Sequence, residues 1–73
     1  MLVKTQVVLY LFDELSSGKK IYLQDVINEF GISIRTFRRY ISEIQAYFAN
    51  FYKQKTIRYS MKNKYYYLVN EMY

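Results

Sequence analysis

The sequence predicts a mostly α protein: three helices followed by a small β-hairpin. Three observations lead there. Apolar residues recur at helical spacing in three stretches before residue 50. Breaks at Ser16-Ser17-Gly18 and at Gly31 separate those stretches. Beyond Lys55 the pattern changes to β-branched and aromatic runs on either side of the polar Met61-Lys62-Asn63-Lys64.

The first helix is expected from about Lys4 to Leu15, with Val8, Leu11, Phe12 and Leu15 at the i, i+3, i+4, i+7 spacing of an inward stripe. The apolar run Val7 to Phe12 within it is too short for a membrane span, which needs about 20 residues. Asp13 and Glu14 interrupt that run and no small-residue cleavage site follows, so it reads as a core helix rather than a leader or an anchor, with no membrane partner. Lys19 to Tyr22 is an extended connection, with a brief strand as the alternative. A second helix runs from about Leu23 to Phe30, turning Val26, Ile27 and Phe30 inward with Leu23 at its start, and Gly31 stops it.

The third helix starts after Ser33 and runs to about Ala49. Successive side chains lie about 100° apart on a helix, so Ile41, Ile44 and Phe48 fall within roughly 40° of Phe37 and form one narrow core stripe. Arg35, Arg39 and Ser42 fall within about 50° of the opposite pole, with Arg38 on the shoulder. Ser33 is placed to accept from the first free amides, Gly31 supplies a positive φ for the turn, and Ile32 tucks beneath it. The last segment, about 56–69, is a hairpin. Ile57, Tyr59, Tyr66 and Leu68 should face the helices, leaving Arg58, Ser60, Tyr65 and Tyr67 outward and Lys62 and Lys64 in the turn.

Helix, helix, glycine turn, helix and basic hairpin is the order of a winged helix-turn-helix: three helices plus a wing. The 73 residues read as a single such domain, 1–73, without repeats, low-complexity tracts or internal linkers. No cysteine and no histidine are present, which excludes disulfides, thiolate chemistry, the usual zinc sites and imidazole catalysis, and fits a cytoplasmic location. The six carboxylates Asp13, Glu14, Asp25, Glu29, Glu43 and Glu71 show no catalytic or metal-binding spacing, so neither enzyme activity nor a cofactor is expected.

Charge is segregated along the chain. Residues 1–32 sum to −1, whereas residues 33–73 hold eight cations against Glu43 and Glu71 and sum to +6. A merely solvated helix face does not require this, but a surface that displaces phosphate counterions does. Ten tyrosines and five phenylalanines are more rings than so small a protein can bury. Compositional bias accounts for them, or exposed rings form a dimer surface, where tyrosine is enriched.

The stretch Tyr22-Leu23-Gln24-Asp25-Val26-Ile27-Asn28-Glu29-Phe30-Gly31-Ile32-Ser33-Ile34-Arg35-Thr36-Phe37-Arg38-Arg39-Tyr40-Ile41-Ser42-Glu43-Ile44 resembles the N-terminal winged helix of DeoR-type bacterial transcription regulators. It is similar also to the domains that precede WYL sensor modules and to those of Mga-type activators, and Tyr66 and Leu68 match the end of the wing phrase. The chain departs from the shared phrases at Tyr22, where a serine or threonine cap is frequent, at Tyr40, where aspartate is frequent, and at Tyr65, which replaces a wing glycine. The resemblance implies sequence-specific binding of double-stranded DNA, usually as a homodimer. It implies that Ser33, Ile34, Arg35 and Thr36 face the major groove and that Arg38 and Arg39 contact phosphates or bases. It also implies an effector or sensor domain, fused or separate. The chain is then either the DNA-binding part of a longer regulator or a small stand-alone protein.

The expected mechanism places the third helix in the major groove, with Arg35 and Arg39 as bidentate guanine readers and Thr36 against a thymine methyl. Amides at the starts of the second and third helices would grip phosphates with Arg38. Ser42 and Arg58 extend the contact set, and Lys62 and Lys64 reach the backbone or minor groove. Two alternatives stay open: a protein-interaction module that uses its exposed tyrosines, and RNA or single-strand binding through Tyr65, Tyr67 and their basic neighbours.

Overall fold

The computed structural model describes residues 3–70. It comprises α1 (Lys4–Ser16), β1 (Ile21–Tyr22), α2 (Leu23–Phe30), α3 (Ile34–Phe51), β2 (Lys55–Ser60) and β3 (Tyr65–Asn70). The strands form one antiparallel sheet in the order β1-β3-β2. This mixed α/β layout is compatible with a small winged helix. It departs from a mostly α chain with an isolated hairpin, because the connection before α2 is a strand. Ile21 pairs with Tyr66 and Tyr22 with Tyr65, which puts β3 at the centre of the sheet.

The core is built from Val7, Leu11, Leu15, Ile21, Val26, Phe37, Ile41, Ile44 and Phe48, with Phe37, Phe48, Leu11 and Leu15 wholly excluded from solvent. The α3 stripe is the one the spacing predicts. On α1 the buried line is Val7, Leu11 and Leu15, while Val8 and Phe12 are half-buried. The expected Val8-Leu11-Phe12-Leu15 face is thus rotated by part of a turn. Phe12 stacks on Phe48 and meets Tyr47 edge-on, both at 5.5 Å, so this side of α1 leans on α3 rather than entering the centre. The other flank of α1 meets α2 through Tyr10, whose ring lies edge-on to Phe30 at 5.3 Å and whose hydroxyl donates to Glu14 Oε1 at 3.1 Å. Burial, that hydrogen bond and the charges of Glu14 and Glu29 push the Tyr10 phenol above its ordinary value.

Only Val26 of α2 is fully buried, with Leu23 and Phe30 packed partly against the core. α3 runs two residues beyond the expected end, to Phe51, where Tyr47, Phe48, Phe51 and Tyr52 gather their rings. A tight turn then feeds directly into β2, with the Lys55 amide donating to the Tyr52 carbonyl at 2.9 Å. In the hairpin Ile57 lies opposite Leu68 and Tyr59 opposite Tyr66. Ile57, Tyr66 and Leu68 pack on the core, and the Tyr66 ring meets Phe37 at 5.3 Å. β2 is one of the two sheet edges, and its Ile57 amide donates to Gln45 Oε1 on α3 at 2.7 Å, which fixes the hairpin against the long helix. No described helix is long and apolar enough to cross a membrane.

Candidate nucleic-acid interface

The start of α3 is set by three consecutive residues. Gly31 takes φ 64°, ψ 30° and its amide donates to the Ile27 carbonyl at 2.9 Å, closing α2 in the left-handed conformation that glycine adopts without a Cβ penalty. Ile32 packs against the core beneath the turn. Ser33 is extended, and its Oγ accepts from the Thr36 amide at 3.1 Å while lying 3.0 Å from Thr36 Oγ1. The cap fixes the first turn of α3 at the molecular surface, and the amides of Ile34 and Arg35 precede the capped one.

Beyond that turn Arg35, Arg38, Arg39 and Ser42 are exposed. Arg35, Arg39 and Ser42 follow one another along the outer line of α3, away from the buried Phe37-Ile41-Ile44-Phe48 line. Arg38 lies on the flank that faces the hairpin, where it shares a concavity of about 530 Å³ with Ile34, Tyr59, Asn63, Lys64 and Tyr22. Ile34 is 45% exposed despite being apolar. Lys62 and Lys64 stand exposed in the hairpin turn. Among the described residues, none of Arg35, Arg38, Arg39, Lys62 and Lys64 makes an ion pair; Lys4 and Lys19 are paired instead, with Glu43 and Glu14. Five cations without an ion pair among the described residues are therefore exposed on α3 and the hairpin turn, and two of them, Arg38 and Lys64, share one concavity.

The turn that presents the lysines is held by its backbone. The Lys64 amide donates to the Ser60 carbonyl at 2.7 Å, and the Asn63 amide donates to Ser60 Oγ at 3.3 Å. Lys64 adopts φ 57°, the only positive φ at a non-glycine among the described residues. The conformation that favours glycine in this hairpin turn thus falls at Lys64 and not at Tyr65, which is already in β3.

The expected contact residues are not all equivalent. The Ser33 and Thr36 hydroxyls are engaged with each other, and Thr36 is half-buried, so both serve the cap. The first amide of α2, that of Leu23, donates to the Lys64 carbonyl at 3.2 Å, so it ties the hairpin turn to α2. Asp25 also lines the concavity. Its carboxylate suits the start of α2 but opposes a phosphate at that end. Arg58 is exposed on the sheet face opposite Ile57 and Tyr59, and the fold does not bring it to the α3 side. Tyr22, Tyr59 and Asn63 were not among the expected contact residues. The alternation already turned Tyr59 inward, whereas the approach of Tyr22 depends on the β1–β3 pairing, which no local pattern announces.

Comparison of the chain with protein-family models, with curated proteins and with solved structures finds no match in any of the three.

Proposed function

We propose that this chain is a winged helix-turn-helix that binds double-stranded DNA in a sequence-dependent manner, with α3 in the major groove and the β2–β3 turn on the backbone or in the minor groove. The observation that carries this reading is the set of five exposed cations with no ion pair among the described residues, three on α3 and two on the hairpin turn, of which Arg38 and Lys64 share one concavity. Arg35 and Arg39, one turn apart on the outer line, are the base readers, since a guanidinium can take guanine O6 and N7 together. Ile34 supplies the apolar contact for a thymine methyl, because Thr36 is half-buried at the cap. Arg38, Lys62 and Lys64 hold phosphates and fix register. A role in transcription regulation follows from the resemblance to DeoR-type and related regulators.

Dimerisation belongs to the same reading. Leu9, 59% exposed, borders with Tyr47 and Glu43 a cleft of about 370 Å³ between α1 and α3, floored by Val8, Phe12 and Ile44, and Phe51, 68% exposed, lies against Tyr47 beside it. This band supports pairing with a second copy and also gives the alternative, a protein-docking winged helix without DNA reading, its best support. Selection from a random duplex pool separates the two. Enrichment of a defined sequence, lost on Arg35→Ala or Arg39→Ala, supports DNA reading; an unenriched pool leaves protein docking.

A further inference from the structure

We propose that the outer face of the sheet is a second nucleic-acid site, a platform on which two or three bases of a single strand stack. Strand pairing places Tyr22 beside Tyr65 and Arg58 beside Tyr67 on the face that points away from the core residues Ile21, Ile57, Tyr66 and Leu68. The Tyr22 and Tyr65 rings meet edge-to-face, at 65° with centroids 5.3 Å apart, as do Tyr65 and Tyr67 at 67° and 5.7 Å, so the three rings form one continuous patch of inclined faces. None of the three is buried, Tyr22 is 44% exposed, and the described helices pack on the other side of the sheet.

Charge selects the occupant. The cations beside the rings are Lys20 and Arg58, and the carboxylates of Glu14, Asp25 and Glu29 line a concavity on the Tyr22 side, so the Tyr65–Tyr67 end of the patch is the cationic one. The Lys20 ammonium sits 4.9 Å from the centroid of the Tyr65 ring, showing that the π-face attracts a cation and that a cation is at hand for a phosphate. A polyanion that also carries flat π-systems satisfies rings and cations together, whereas a neutral sugar would leave the charge unused. A duplex does not, since its base faces are already stacked. The ring spacing exceeds the ~3.4 Å rise along one strand of a duplex, so successive bases would be splayed, each on its own ring. Lys20 is exposed, so on binding its ammonium yields the Tyr65 face to a base and turns to the adjoining phosphate.

Tyr22 borders the α3 concavity as well, so the test uses Tyr65 and Tyr67. Fluorescence anisotropy would compare a labelled 15-nucleotide oligo-dT, the matching oligo-rU, an abasic strand with the same number of phosphates, and a duplex, at one salt concentration. The expected result is that at least one base-bearing strand binds about tenfold or more tighter than the abasic strand. The Tyr65→Leu/Tyr67→Leu variant should lose that preference while duplex binding changes less than twofold, and Tyr65→Phe/Tyr67→Phe should retain it. Whether dT or rU binds tighter identifies DNA or RNA as the source of the strand. Equal binding of the abasic and base-bearing strands by the wild-type protein overturns the proposal, and this arm decides even where the leucine variant fails to fold. A folded leucine variant that keeps the preference overturns it as well.

Discussion

Arg35 and Arg39 share a line on α3 but differ from Arg38 in what they face, and that difference gives each a separate signature. Removing either outer arginine should cost about 1–3 kcal/mol of binding to the preferred site and relax the preference at one base pair, whereas Lys62→Ala should weaken all sequences alike and lower the salt slope by about one. Affinities of the three variants on preferred and scrambled duplexes check this, and equal losses on both sequences for Arg35→Ala would remove its base-reading role. Lys64 joins function and strain in one residue. Its φ of 57° is disfavoured by about 1 kcal/mol for a side chain with a Cβ, so Lys64→Gly should leave stability unchanged or raise it slightly while weakening duplex binding. Thermal melting together with anisotropy would show the two effects moving apart. The arginines, the Ser33 cap and the Gly31 turn were legible because each depends on spacing within a few residues. The roles of Thr36 and of the Leu23 amide were not, because they depend on which neighbour reaches them first: the Ser33 hydroxyl in one case and the Lys64 carbonyl in the other.

At the scale of elements, α3 is both the centre of the core and the exposed basic surface, because a narrow stripe of Phe37, Ile41, Ile44 and Phe48 is enough to bury it and leaves the outer line free. Its start and the boundaries of α2 followed from caps and period, whereas its end lies two residues beyond the expected Ala49. The α1 stripe did not come out as expected because Val7, Val8, Leu11, Phe12 and Leu15 span a wide apolar arc, and the spacing alone cannot say which part of it meets the centre. β1, two residues long, was too short to carry an alternation of its own; it is defined by its partners Tyr65 and Tyr66 on β3. The Gln45 contact is equally non-local. Gln45 Oε1 takes up an edge-strand amide that has no strand beyond it, so Gln45→Ala should cost about 1–2 kcal/mol by leaving the Ile57 N–H without that acceptor. Denaturant unfolding would measure the loss, and an unchanged midpoint would show that water replaces the glutamine at no cost.

For the whole molecule, the two surfaces that matter lie on different sides of α3. The arginine line faces outward, and the apolar band of Leu9, Tyr47 and Phe51 lies toward α1, beside the neutralised Lys4–Glu43 pair. Two copies could therefore join along α1 without bringing their cations together. A standard interface takes about 800 Å² from each partner, roughly one-seventh of a surface of 5421 Å², so this face should give a weak dimer that DNA reinforces. Sedimentation at rising concentration should show reversible dimerisation, abolished by Leu9→Glu; a strictly monomeric wild-type protein would remove the band from the account. The segregation of charge in the sequence already separated a near-neutral first half from a basic second half, and the fold exposes cations of that second half on α3 and on the hairpin turn. The most direct test of duplex binding is the salt dependence of fluorescence anisotropy on a mixed duplex DNA pool. The three cations assigned to phosphates, Arg38, Lys62 and Lys64, predict a log–log slope of about −3 for each bound copy; absence of binding even at low salt, or a slope near zero, would contradict the account.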